Sequence, residues 1–300
     1  MQSKRPYEFV EYHIHGDGEC NGMTLKAYAD KHELSKEDRL DLCFLFSITY
    51  CVESAIVLLK KREEYAGNID EWVKGNKDKL VFQSDRKYIR MLNAFNTCLS
   101  FFEDKHEKIL RVASGRELDL RRLIPEVERW PYFGRFSAYL FLETVAWVLD
   151  YSIINAEMEW ENGDTATSGL LNVYGYDKAA DAFDASGKLE KPFNQQVMQR
   201  MVEPLLLAIE RCGGNNNITM VETSLCAYRK FFKGTRYNGY YLDRMLEEIY
   251  QMSAAFPEIS KELIEIRTGL FDSKYLGEAG GWKGIRKECK KLYKEQGIIM

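Results

Sequence analysis

LDLCFLFSITYCVESAIVLL, residues 40–59, is apolar on nearly every side of a helical wheel. Leu40, Leu42, Cys43, Leu45, Phe46, Ile48, Thr49, Val52, Ala55, Ile56, Leu58 and Leu59 leave almost no solvated face. Such a run reads as a buried central helix or as a broken pair interrupted near Ser47–Tyr50. Other helices must surround it, because an all-apolar helix in a water-soluble chain needs cover on every side.

Upstream, Ser35 with Asp38 three residues on resembles a capping box with Asp in place of Glu. Thr24 is expected to cap a short helix through His32, and Tyr12–His15 reads as a short strand in an irregular stretch with several glycines. Downstream, Asn68 can cap IDEWVKGNKDKL, and an amphipathic pattern runs from Ser84 to about Val112. GRELDLRRLIPEVERW reads as a charged connection, and Phe133–Leu149 as another strongly apolar helix.

Residues 155–184 are the least regular, with a helix expected near Leu170. Pro192 suits a first helical turn leading to Cys212, closed by Gly213-Gly214. A helix from Asn217 or Thr219, one from Tyr240 to Phe256, and one opened by Pro257 follow. The expectation is an all-α protein of roughly ten to twelve helices. Residues 1–23 would form a non-helical amino-terminal segment, and 24–300 a single multi-helix domain.

Composition fits that reading. Hydrophobic residues make up 45% and charged residues 29%, as in soluble globular proteins, and 6 prolines in 300 residues favour long helices. Net charge is −4, so any nucleic-acid binding must come from a local basic patch. The 7 cysteines form no C-x-x-C pair and follow no secretory signal, which suits reduced thiols in a cytoplasm. No apolar run is long enough for a membrane span. G-x-x-x-x-G-K-S/T, G-x-G-x-x-G and H-E-x-x-H are absent, which removes the P-loop, dinucleotide and zincin classes.

The strongest chemical signal is ETSLCAYRKFFKGTRYNGYYLDR, residues 222–244. Arg229, Lys230, Lys233, Arg236 and Arg244 are interleaved with Tyr228, Phe231, Phe232, Tyr237, Tyr240 and Tyr241, against only Glu222 and Asp243. Cations neutralise phosphates and flat rings stack bases, so the pattern suits an anionic, base-bearing ligand. A tyrosine-rich helical hairpin with a solvated basic face gives the same pattern.

Glu222 and Cys226 lie one turn apart, a carboxylate–thiol spacing, but no histidine follows His106 and core packing is the better reading of Cys226. Arg135 opens the FGRFS helix where a phosphate can be clamped, and Glu143 lies eight residues on, nearly on the same side. An Arg–Glu pair joining helices is the plainer alternative. NGDTATSG offers Asp164, Thr165, Thr167 and Ser168, best read as capping the helix at Leu170. HIHGDGE places His13, His15, Asp17 and Glu19 at alternate positions as a candidate metal set, a ligand loop centred on His13, His15 and Asp17, or a polar surface turn. The lysines after Trp282 read as a solvated helix face.

FGRFSAYLFLETVAWV (133–148), NGDTATSGLLNVYG (162–175) and residues 222–244 together resemble the phage α-glutamyl/putrescinyl thymine pyrophosphorylases, the amino acid:DNA transferases. The resemblance covers most of residues 40–270. It implies an all-α fold related to helix-hairpin-helix DNA glycosylases and a place in the cytoplasm of a phage-infected bacterial host. It also implies transfer of an amino acid or polyamine onto pyrophosphate-activated 5-hydroxymethyluracil in DNA.

The physics of that reaction assigns Arg135, Arg229, Lys230 and Arg236 to phosphates, with Arg244 beside them. It assigns Glu143 or Glu222 to proton removal, and Tyr237, Tyr240 or Tyr241 to stacking a flipped base. No cofactor is expected, and a divalent metal is compatible with the chemistry. Two other classes fit the same patch: a non-catalytic helical nucleic-acid-binding protein, and a glycosylase acting on a modified base.

Overall fold

The computed structural model describes residues 19–65, 67–82, 95–100, 116–156, 164–174, 195–211, 218–233 and 239–273, with the single residues His13, Phe102, Ile109, Met158 and Leu276. Its described elements are almost entirely helical. The chain clusters into two compact units, one of residues 21–155 and 245–270, the other of residues 1–20, 156–244 and 271–300.

In the first unit the apolar run is a broken pair. Helix α1 spans Cys20–Lys31, α2 Lys36–Thr49 and α3 Val52–Lys60. The break is a single left-handed residue, Tyr50 (φ 52°), whose N–H still donates to the Phe46 carbonyl. Thr49 donates its hydroxyl to the Leu45 carbonyl at 2.8 Å and so holds the chain at the last turn. Ser35 accepts from the Asp38 N–H and donates to Asp38 Oδ2 at 2.9 Å, which fixes the start of α2. Helix α4, Ile69–Asn76, is capped by Asn68. Residues 95–100, within the expected Ser84–Val112 pattern, are helical.

Several elements differ from expectation. Helix α1 starts at Cys20, so Thr24 is no cap; it lies buried inside the helix and donates to Met245 Sδ. The charged connection holds a strand, β1 (Glu117–Asp119), and a helix, α5 (Leu120–Val127). Asp119 caps α5, and Leu120, Leu123, Ile124 and Val127 bury one face at helical spacing. Strand β1 pairs in parallel with β2 (Ser152–Ile154), just after α6 (Arg135–Leu149).

Five rings knit this unit. Phe44 of α2 stacks on Phe102 at 4.2 Å and on Phe133 at 5.9 Å, while Trp130 and Phe141 pack edge-on or tilted among them. Gly22 of α1 faces Trp147 of α6, where a Cβ would sit 2.9 Å from the indole. Helix α10 (Tyr240–Met252), of which residues 245–252 belong here, and α11 (Pro257–Leu270) complete the unit.

Among the described residues of this unit two carboxylates are buried, Glu53 of α3 and Glu248 of α10. Ser260 donates to Glu53 Oε1 at 2.5 Å. Burial, reinforced by the charge of Glu248 and opposed by the Ser260 hydrogen bond, pushes the Glu53 carboxyl up to about 8. Cys20, Cys43, Cys51 and Cys98 are buried thiols in no disulfide, and burial raises Cys98 to about 12.

The second unit holds α7 (Asp164–Val173), α8 (Gln195–Arg211), α9 (Ile218–Phe232) and the first turn of α10. Helix α7 starts six residues before Leu170, so Thr165, Thr167 and Ser168 lie inside the helix rather than in a capping loop. Its partner is α9. Gly169 touches the α9 backbone, where a Cβ would fall 2.1 Å from the Leu225 carbonyl oxygen. Only glycine permits that approach. Tyr174 at the end of α7 donates to the Met201 carbonyl of α8 at 2.7 Å.

Candidate active site

The α7–α9 pair is unusual in burying hydroxyls and an amide where aliphatic side chains are the rule. Thr167, Ser168 and Asn172 of α7 and Thr219 and Ser224 of α9 are all buried. Two contacts give the direction of the pair. Gly169 meets Leu225, while Ser168, one residue earlier, meets Arg229, one turn later. The helices therefore run antiparallel, and the carboxyl end of α9 lies beside the amino-terminal half of α7.

That end of α9 is where the cations gather. Arg229 donates from Nη1 to Ser168 Oγ at 2.6 Å, joining the basic stretch to the NGDTATSG segment. The Lys233 N–H continues the helical bonding to the Arg229 carbonyl at 3.0 Å. Partial burial, then the positive charge of Arg229, lowers the Lys233 ammonium below its ordinary value. Lys230 is half-buried. Two cations close enough to repel suit a polyanion.

Glu222, Cys226 and Arg229 fall at i, i+4 and i+7, one stripe along α9. The Cys226 thiol donates to Glu222 Oε1 at 3.0 Å. Cys226 is half-buried, and its thiol serves as a donor to that carboxylate.

His13 is buried, in helical rather than extended backbone, and its Nδ1 is hydrogen-bonded to Ser224 Oγ at 3.0 Å. Ser224 sits about 200° around α9 from Glu222, at roughly 100° per residue. His13 and Cys226 thus lie on opposite sides of the helix and share no proton. His15 and Asp17 lie outside the described residues. Among the described residues no group of three or more His, Cys, Asp or Glu side chains gathers as a metal site.

Of the candidate stacking rings, Tyr240 is buried and Tyr241 half-buried, packed edge-to-face at 5.4 Å. Arg244, one turn after Tyr240, is half-buried. Arg236 and Tyr237 lie outside the described residues. Asp243, noted from sequence only as an opposing charge, is buried at 2% exposure. A buried carboxylate next to a basic stretch is a functional candidate that residue types alone do not expose.

In the first unit, Arg135 is the exposed first residue of α6 and Glu143 is half-buried. Eight residues turn a helix by about 80° beyond two full turns and raise it about 12 Å. The two side chains therefore do not share one side, which corrects the expectation. The α6 N-cap, Gly134, contributes no side-chain hydrogen bond.

Residues 42–237 match the family model described as amino acid:DNA transferase. The chain belongs to the amino acid:DNA transferase family. A comparison with curated proteins found no match. The matched span contains α6, α7 and α9, and with them Arg135, Glu143, Ser168, Glu222 and Arg229. Transferases of this name act with DNA and an amino acid as substrates. Among the described residues no helix is long and apolar enough to cross a membrane.

Proposed function

We propose that the protein transfers an amine, from an amino acid or a polyamine, onto pyrophosphate-activated 5-hydroxymethyluracil in DNA within the phage-infected cell. The observation that carries this reading is the Arg229–Ser168 contact, which sets a guanidinium and a neighbouring ammonium beside the amino-terminal half of α7. Family membership supplies the DNA and the amino acid.

The amine lone pair forms a C–N bond to the exocyclic methylene carbon while the C–O bond to pyrophosphate breaks. Pyrophosphate leaves with the electron pair. Arg229, with Lys233 and Lys230, stabilises that growing charge, and the Ser168 hydroxyl orients the guanidinium. The ammonium proton goes to Glu222, whose Cα lies about 10 Å of helix rise from that of Arg229. That separation leaves room for a flipped base between proton acceptor and phosphate clamp. Tyr241, with Tyr237, stacks the base, while Arg236 and Arg244 hold the DNA backbone. Arg135 and Glu143 are the alternative clamp and base.

The test incubates the protein with DNA carrying pyrophosphorylated 5-hydroxymethyluracil and single amines, followed by nucleoside mass analysis and pyrophosphate measurement. An amine adduct with equimolar pyrophosphate is expected. DNA binding without either product would replace this reading with a non-catalytic binding protein. Abasic sites would indicate a glycosylase.

A further inference from the structure

The turn entering α6 has the chain conformation of a glycine turn, yet carries an exposed tyrosine. Phe133 donates its N–H to the Trp130 carbonyl at 3.1 Å, closing a four-residue turn around Pro131 and Tyr132. Tyr132 has φ 64°. Proline at the second position excludes the primed turns, and positive φ at the third excludes type I, leaving type II. That third position favours glycine, because a Cβ there is crowded.

On either side the turn is anchored: Trp130 and Phe133 are buried at 4% and 7% exposure in the five-ring cluster. Tyr132 between them is 59% exposed, the most exposed large apolar side chain among the described residues. Phe136, 40% exposed, follows one turn on, with its ring edge on Tyr50. Arg129 and Arg135 are exposed on the same stretch, which is bounded by the carboxylates of Glu128 and Glu143.

A solvent-facing ring on an anchored turn, with an exposed arginine three residues away on each side, fits one occupant best: DNA, with a base against the ring and phosphates on the guanidiniums. We infer that Tyr132 is a base-stacking platform for an unpaired DNA base, with Arg129 and Arg135 holding the adjoining phosphates. The inference rests on the proposed function only in taking DNA as the substrate, and concerns residues other than the Arg229 site. A protein partner would favour a larger continuous apolar face than these two rings.

The deciding experiment uses the full chain and a fluorescein-labelled single-stranded DNA oligomer, read by anisotropy at fixed salt, with thermal unfolding in parallel. Tyr132→Gly relieves the left-handed backbone, so its melting temperature should rise while DNA affinity falls about tenfold or more. Tyr132→Phe should bind within about twofold of the parent, since stacking needs only the ring. Affinity unchanged in Tyr132→Gly, or lost equally in Tyr132→Phe, overturns the platform. If the parent releases no pyrophosphate but Tyr132→Gly still loses binding, the transferase reading falls and the platform stands. Turnover by the parent with unchanged Tyr132→Gly binding has the opposite meaning.

Discussion

Arg229 and Ser168, 61 residues apart in the chain, meet at 2.6 Å where α7 and α9 run antiparallel. A buried serine oxygen thereby fixes the direction of a guanidinium that would otherwise sample many rotamers. If that guanidinium receives the departing pyrophosphate, Arg229→Ala should lower turnover about 10²-fold or more. Arg229→Lys should recover part of the loss, since it keeps charge without the planar fork, and Ser168→Ala should cost less than Arg229→Ala. Single-turnover pyrophosphate release measures all three. Parent-like release by Arg229→Ala would remove this residue from the mechanism.

Glu222 is the proposed proton acceptor and Cys226 only its neighbour. Glu222→Gln should slow the chemical step roughly 10²-fold or more and abolish the acid limb of the pH–rate profile. Cys226→Ser should keep most activity. The reverse pattern would make the thiol the reacting group.

Gly169 sets the spacing of the α7–α9 pair. Gly169→Ala would place a methyl 2.1 Å from a backbone oxygen, and backbone cannot swing aside as a side-chain end can. A loss of about 3 kcal/mol is expected in chemical denaturation. A loss under about 0.5 kcal/mol would mean the helices separate freely.

Glu53 makes stability depend on pH. The folded chain keeps this proton up to about pH 8, whereas the ordinary carboxyl of the unfolded chain loses it near 4.5. Between those values the folded state binds more protons, so stability falls as pH rises from about 4.5 to 8. Glu53→Gln should flatten that slope and be more stable than the parent at pH 8, on the order of a few kcal/mol. Equal slopes for parent and variant would show that the carboxyl is not buried as described.

The helical character was legible because its signals are local. Ser35 and Asn68 sit where their side chains accept from N–H groups three residues on, and the 40–59 run broke inside the expected window, at Tyr50. The 120–127 helix was hidden by two arginines and Pro125 within only eight residues, too short for its apolar spacing to stand out. Strands of three residues carry no periodicity, so the Glu117–Ser152 pairing had no signal. The site divided in the same way. Glu222, Cys226 and Arg229 are related by helix spacing and could be read together. Ser168, Ser224 and Gly169 became meaningful only through contacts with distant residues, His13 and Ser224 being 211 positions apart.

The break at Tyr50 also bears on what the folded chain could offer to a lipid bilayer. Unbroken, residues 40–59 would offer a helix about 30 Å long with only Asp41 and Glu53 charged, close to the thickness of a bilayer's hydrocarbon core. Divided, the pieces are 14 and 9 residues, about 21 and 14 Å, and neither can span it. In the folded chain one left-handed residue therefore keeps this apolar segment from being a single helix of bilayer length.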